Sequence, residues 1–343
     1  MKKIRDRIGA LLLSAALLFS AGGCAARPAA SSGAVSAAGG GSGTEKPTVR
    51  VVGLKGPTGL SMAKLMSDSD AGNASERYKF SIVSSPDEIV AKISGGEADV
   101  AAAPTNLAAT LYNKTNKGVK LAAVTTLGVL YAVDSGGAEI RSVADLKGRT
   151  VYASGQGATP EYALDYILSR NGLTPGKDVK VVYKAEHAEL ASLAIAGRAD
   201  IAVLPEPFVT QVLLKNKKAK IALDLTEEWD RAADGKSVLT MGCLIATKKF
   251  AGQNKKALDA FLKDYQASAQ YANSNAQQTA ALSEKYGIMP AAVAQKAIPN
   301  CAIVYLDGSE MKEKVSAFLG ILYRFNPKSV GGRLPEDDFY YQP

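Results

Sequence analysis

The stretch Gly96-Glu97-Ala98-Asp99-Val100-Ala101-Ala102-Ala103-Pro104 decides the fold, because the chain repeats it as Gly197-Arg198-Ala199-Asp200-Ile201-Ala202-Val203-Leu204-Pro205. Each copy follows an apolar-periodic run, Ile89, Val90 and Ile93 in the first and Leu190, Leu193 and Ala194 in the second. Each therefore reads as a helix, a Gly stop, Ala-Asp, a short buried strand and a Pro. A Gly just past the last helical turn takes the left-handed backbone that closes a helix. The apolar quartet after the Asp suits a strand buried on both faces, as in a parallel sheet. The Pro sits where a new helix begins, since its missing N–H costs nothing there. Two such units with the same punctuation predict two lobes of like architecture, and hence a cleft between them.

Outward from the repeats, strands at 49–52, 78–83 and 119–124 alternate with helices, and Asp134-Ser135-Gly136-Gly137 breaks the extended run 130–133. The pattern restarts with strands ending at Ala153, at 179–183 and at 219–223, again separated by helices. Residues 238–247 read as extended and as the partner of the run near Tyr131. Everything later reads as helical, with core-facing stripes Leu258, Phe261, Leu262, Tyr265, Ala269 and Met311, Val315, Phe318, Leu319, Leu322. The expected fold class is α/β: two lobes, each a mixed, mostly parallel sheet flanked by helices, joined by two crossing segments. The expected division is 48–134 with 240–343 as one discontinuous lobe and 135–239 as the other.

The first residues read as an export signal. Lys2, Lys3, Arg5 and Arg7 precede an apolar stretch, 8–19, too short to span a bilayer comfortably. Small residues then lead to Cys24, which resembles a bacterial lipoprotein cleavage site with Ala21 where Leu is usual. Residues 1–23 are expected to be removed and Cys24 lipidated, fixing the protein to the extracytoplasmic face of the cell membrane. Residues 24–47, mostly Ala, Ser and Gly, are expected to form a flexible tether with a reach of roughly 25 Å.

The net charge of +8 is spread thinly, without a dense basic run interleaved with aromatics, which argues against nucleic-acid binding. Cys243 and Cys301 are the other cysteines, and spacing alone leaves open a disulfide or two buried thiols. His187 is the only histidine, no Gly-x-Ser-x-Gly elbow accompanies it, and no His/Cys cluster suggests a metal. No catalytic residue, metal or cofactor is expected. Asp99 and Asp200 read as scaffold, and His187 as a helix start at the surface.

Four loops follow expected strands and precede expected helices, where open α/β sheets bind ligands. They supply the candidate ligand-binding residues: Lys55, Gly56, Thr58 and Gly59; Thr105 and Asn106; Gly155, Gly157 and Thr159; and Glu206. Free N–H groups at helix starts would favour acidic or polar acceptor groups on the ligand. Glu206, between two prolines, would receive a cationic or hydrogen-bonding group. Thr105–Asn106 and Glu206 are expected to face each other across the cleft.

Residues 48–325 resemble the solute-binding proteins of ABC importers, in the branch serving nitrate, sulfonates, taurine and thiamine-pyrimidine precursors. The resemblance rests on the two Gly-x-Ala-Asp strands, on Ser142-Val143-Ala144-Asp145-Leu146-Lys147-Gly148-Arg149-Thr150-Val151, and on Pro205-Glu206-Pro207. It implies a periplasmic-binding-protein type II fold that closes on a small polar or anionic organic solute. It also implies an ABC permease and its ATPase as partners, and a monomer. Two rivals remain: an enzyme of the same fold, like the thiamine-pyrimidine synthases that consume one of their own histidines with a pyridoxal cofactor, and a ligand-sensing lipoprotein without transport.

Overall fold

The two copies of the repeated phrase close their helices identically. Gly96 and Gly197 adopt φ of 70° and 66°, the left-handed region open to glycine. The next residue reaches back five positions in each, Glu97 N to Lys92 O at 2.8 Å and Arg198 N to Leu193 O at 2.9 Å, which satisfies carbonyls left over at a helix end. The computed structural model describes residues 47–343. The expected signal at 1–23, the lipidated Cys24 and all but the last residue of the tether lie outside the described residues.

The first part runs β1 (Thr48–Leu54), α1 (Pro57–Asp70), β2 (Arg77–Val83), α2 (Pro86–Ser94), β3 (Val100–Pro104), α3 (Thr105–Lys114) and β4 (Val119–Thr126). The second runs β5 (Leu130–Asp134), β6 (Thr150–Ser154), α4 (Thr159–Arg170), β7 (Lys180–Lys184), α5 (His187–Ile195), β8 (Ile201–Pro205), α6 (Phe208–Lys215), β9 (Lys220–Asp224) and α7 (Leu225–Ala232). The last comprises β10 (Gly242–Thr247), α8 (Lys248–Gln253), α9 (Lys255–Ser274), α10 (Ala276–Lys285), α11 (Ala291–Ala297), β11 (Ile303–Leu306) and α12 (Gly308–Phe325).

These strands form two mixed sheets flanked by helices, ordered β11-β4-β10-β3-β1-β2 and β7-β6-β8-β5-β9. In the first, β1 to β4 point one way while β10 and β11 run against them. In the second, only β5 runs against the rest. The chain passes between sheets twice, after β4 and after α7. β3 and β8, the strands of the repeated phrase, are buried along their whole length, as their apolar composition requires.

Three expectations are corrected. Residues 238–247 do not partner the run near Tyr131: β10 pairs with β3 and β4, and β5 pairs with β8 and β9. An apolar run buried on both faces needs two neighbours, and its composition does not say which. β5 therefore lies in the second sheet, although the expected boundary at 134 groups it with the first. The region after 247 is not wholly helical, since the four-residue β11 adds an edge strand beside β4. Cys243 and Cys301 are free, buried thiols. Among the described residues, no helix is long and apolar enough to cross a membrane.

Candidate ligand-binding cleft

The carboxyl ends of β1, β3, β6 and β8 converge, so four loops from two sheets meet at one place, as the open-sheet rule anticipates. They enclose a cavity of about 60 Å³. Its wall includes Lys55, Gly56, Thr58, Pro104, Thr126, Gly155, His187, Glu206, Phe208 and Met241. Five prolines line it: Pro57, Pro86, Pro104, Pro160 and Pro205. A second opening of about 570 Å³ adjoins it through the shared residues Pro86 and Gly155, lined further by Ser85, Asp87, Gly157 and Tyr183–Glu186.

Of the candidate residues, Lys55, Gly56, Thr58, Gly155 and Glu206 lie on the cavity wall, and Gly157 lines the adjoining opening. Gly59, Thr105, Asn106 and Thr159 lie outside that wall. A Cβ on Gly59 would sit 2.8 Å from Leu54 O and 3.0 Å from Ile288 Cγ2, so this glycine permits close packing of α1. Asn106 and Thr159, both fully buried, bond to each other across the two sheets. Thr159 Oγ1 donates to Asn106 Oδ1 at 3.1 Å, and Asn106 Nδ2 donates to Gly157 O at 3.2 Å and to Ser329 O at 2.9 Å. Asn106 thus faces Gly157 and Thr159, while Pro104, two residues earlier, shares the cavity with Glu206.

Some of the helix-start donors expected to meet an acidic ligand group are occupied. Thr105 N donates to Met241 O at 3.3 Å, Asn106 N to Thr159 Oγ1 at 3.5 Å, and Gly157 N to Glu161 Oε2. Gly59 N and Leu60 N both turn back to Gly56 O. The hydroxyl of Thr58 donates to Leu54 O at 3.2 Å. Pro57, Pro160 and Pro207 have no N–H to offer.

Glu206 is 2 % exposed and follows β8 directly. Its carboxylate caps α6: Oε2 accepts from Thr210 N and Oε1 from Thr210 Oγ1, each at 3.0 Å. Burial pushes its carboxyl above the ordinary range, opposed by the bonds from Thr210 and Asn300. His187 begins α5 as expected, and its half-buried ring lies on the cavity wall. Nδ1 lies 2.7 Å from Ser154 Oγ, and the ring packs on Phe208 at 5.4 Å. Burial lowers its pKa from 6.5 to about 4, so the imidazole is neutral at pH 7. Sequence reasoning missed His187, Phe208, Thr126 and the proline wall. The only signal for them was their position directly after, or beside, a strand end.

Among the described residues, no group of three or more His, Cys, Asp or Glu side chains is arranged to hold a metal. No curated protein matches the sequence. Among solved structures, an ABC transporter from Parabacteroides distasonis is 29 % identical with TM-score 0.70, the match covering 86 % of this chain and 99 % of that one. The periplasmic aliphatic sulphonate binding protein SsuA from Escherichia coli is 18 % identical with TM-score 0.67, covering 86 % and 92 %. The periplasmic nitrate-binding protein NrtA from Synechocystis PCC 6803 is 15 % identical with TM-score 0.60, covering 82 % of each. The last two carry the two-lobe fold alone. Residues 82–279, more than half of the chain, match the family described as NMT1/THI5 like. With that match and a two-sheet fold shared with ABC-importer binding proteins, the chain belongs to the NMT1/THI5-like family.

Proposed function

We propose that this protein captures a small polar organic solute between two lobes and delivers it to an ABC permease and its ATPase at the extracytoplasmic face of the cell membrane. Cys24 would carry the lipid that holds it there, and the protein would act as a monomer. The observation that carries this reading is the convergence of four strand ends, two from each sheet, on one cavity. Contacts to both lobes exist together only when they close, so a solute that touches both shifts an open–closed equilibrium by its differential affinity. No bond is made or broken. The lobes on this reading meet at the two passages between sheets, with β5 assigned to the second lobe. The similarity to an ABC transporter protein over nearly the whole of that chain supports the partner assignment.

A second reading, the enzyme that consumes its own histidine with a pyridoxal cofactor, has Lys55 and His187 on the cavity wall in its favour. The residues do not fit the cofactor's phosphate: the wall has no arginine to hold it. Incubation with pyridoxal phosphate is expected to leave the visible spectrum without an aldimine band.

The test of the main reading joins two measurements. A thermal-shift screen over small solutes identifies a stabiliser, since a ligand of the native state raises its stability. Deletion of the gene is then expected to abolish uptake of that same solute. Undiminished uptake would contradict delivery and favour a sensing role.

A further inference from the structure

The amino ends of β1, β3 and β4 and the carboxyl end of β10 lie together, at the end of the first sheet away from the cleft. A groove of about 630 Å³ opens there, with Arg50, Asp99, Thr115, Lys248, Lys249 and Asn254 on its wall. Asp99, the only acidic residue of that wall among the described residues, is held by Arg50 at 2.6 Å. Nearby, Glu97 pairs with Lys92 at 3.2 Å, and Glu336 and Asp338 pair with Lys117 at 2.7 and 3.8 Å.

The remaining lysines leave this end positive. Exposed Lys248 and Lys249 have no acidic partner within 4.0 Å among the described residues. The same holds for exposed Lys114, beside Thr115, and for exposed Lys256, just after Asn254. Lys248-Lys249 and Lys255-Lys256 open the consecutive helices α8 and α9, and neither helix has an acidic residue in its first turn. Cations at the positive end of a helix are disfavoured, so local helix stability does not account for either pair.

The chain enters the body at this same end, since β1 starts at Thr48 and Arg50 is on the groove wall. Whatever precedes residue 47, the expected tether included, joins the body here. We propose, resting on the anchored reading above, that this end docks on the anionic phospholipid headgroups of the membrane that carries the protein. Lysines close to a negatively charged bilayer surface each add to binding, and salt screens the attraction. The seven residues of β1, at about 3.3 Å each, then hold the cleft loops roughly 20 Å from the lipid. The cleft stays open to the outer solution, and a contact of this screened kind releases readily for handover to a permease.

Vesicle co-sedimentation of the lipid-free protein, made without residues 1–23 and with Cys24→Ser, tests the surface. The protein is expected to bind vesicles of phosphatidylcholine mixed with phosphatidylglycerol, to leave them at high salt, and to ignore phosphatidylcholine alone. Reversing two charges as Lys248→Glu with Lys249→Glu is expected to weaken binding at least tenfold. Acidic residues suit a helix start, so the melting temperature of that variant is expected not to fall. Lys217→Glu with Lys218→Glu changes the net charge equally at exposed positions before β9, and is expected to bind within twofold of the parent. Equal weakening by the two pairs, undiminished binding by the Lys248/Lys249 variant, or no preference for the anionic vesicles would each overturn the proposal. Anchoring is read separately: recovery of the full chain in the soluble fraction of cells would remove the anchor, whereas a failed vesicle result with the full chain on membranes would remove the docking surface alone.

Discussion

Asp99 and Asp200 occupy the same place in the repeated phrase, and their surroundings differ. Asp99 accepts from Arg50 N and Arg50 Nε, each at 2.9 Å, and from Arg50 NH2 at 2.6 Å, so it ties the start of β3 to β1. Asp200 is exposed. Asp99→Ala is expected to lower unfolding stability by about 1–3 kcal/mol, because it leaves the Arg50 backbone N–H without its acceptor and breaks the side-chain tie between β1 and the start of β3. Asp200→Ala is expected to stay within about 0.5 kcal/mol. Chemical denaturation of both variants checks the contrast, and equal costs would contradict it. His187 supplies a pH dependence. Its folded pKa of about 4 lies below the unfolded 6.5, so the unfolded chain binds the extra proton and stability falls as pH drops through that window. Relative to the parent, His187→Gln should gain stability between pH 6.5 and 4, by up to about 1.4 kcal/mol per pH unit. A pH-independent difference would contradict the neutral ring. Both residue types were readable in the sequence, but their partners were not: nothing local to Asp99 names Arg50, and nothing local to His187 says that α5 turns it inward.

Elements whose burial is written into their own pattern were legible, and those defined by neighbours were not. β3 and β8 announced themselves as apolar quartets between Asp and Pro, and the α12 stripe of Met311, Val315, Phe318, Leu319 and Leu322 is indeed buried. β10 is equally apolar, yet its place between β3 and β4 is a tertiary fact. β11 is too short to show a period, and α7 begins without a break after β9. The α7 helix nevertheless matters to the packing. Trp229, fully buried, stacks on Phe318 of α12 at 5.3 Å and on Tyr166 of α4 at 5.1 Å, and its Nε1 donates to Ser237 O at 3.0 Å. Trp229→Ala is expected to cost about 3–5 kcal/mol, the range for emptying a buried aromatic site. Urea unfolding followed by circular dichroism measures it, and a cost under about 1 kcal/mol would mean that α12 and α4 repack without it.

For the whole molecule, the sequence yielded the number of sheets and the four loops at their ends, because the repeated phrase marks the same strand in each. It did not yield what closes the cleft, which depends on chain segments more than 50 residues apart, such as Asn106 with Thr159. Asn106→Ala removes the side-chain bonds to Gly157 O, Thr159 Oγ1 and Ser329 O. Each hydrogen bond contributes about 0.5–1.5 kcal/mol net, so the variant is expected to populate the open form and to show a larger radius of gyration in solution scattering. An unchanged radius would assign closure to the apolar packing instead. The central claim is that both sheets grip one solute at the ends of β1, β3, β6 and β8. Hydrogen exchange of the protein with and without its stabilising solute tests this most directly. Slowed exchange is expected together in residues 55–59, 105–106, 155–159 and 206–210. Slowing confined to the loops of one sheet, or centred on the groove beside Arg50 and Lys248, would contradict it.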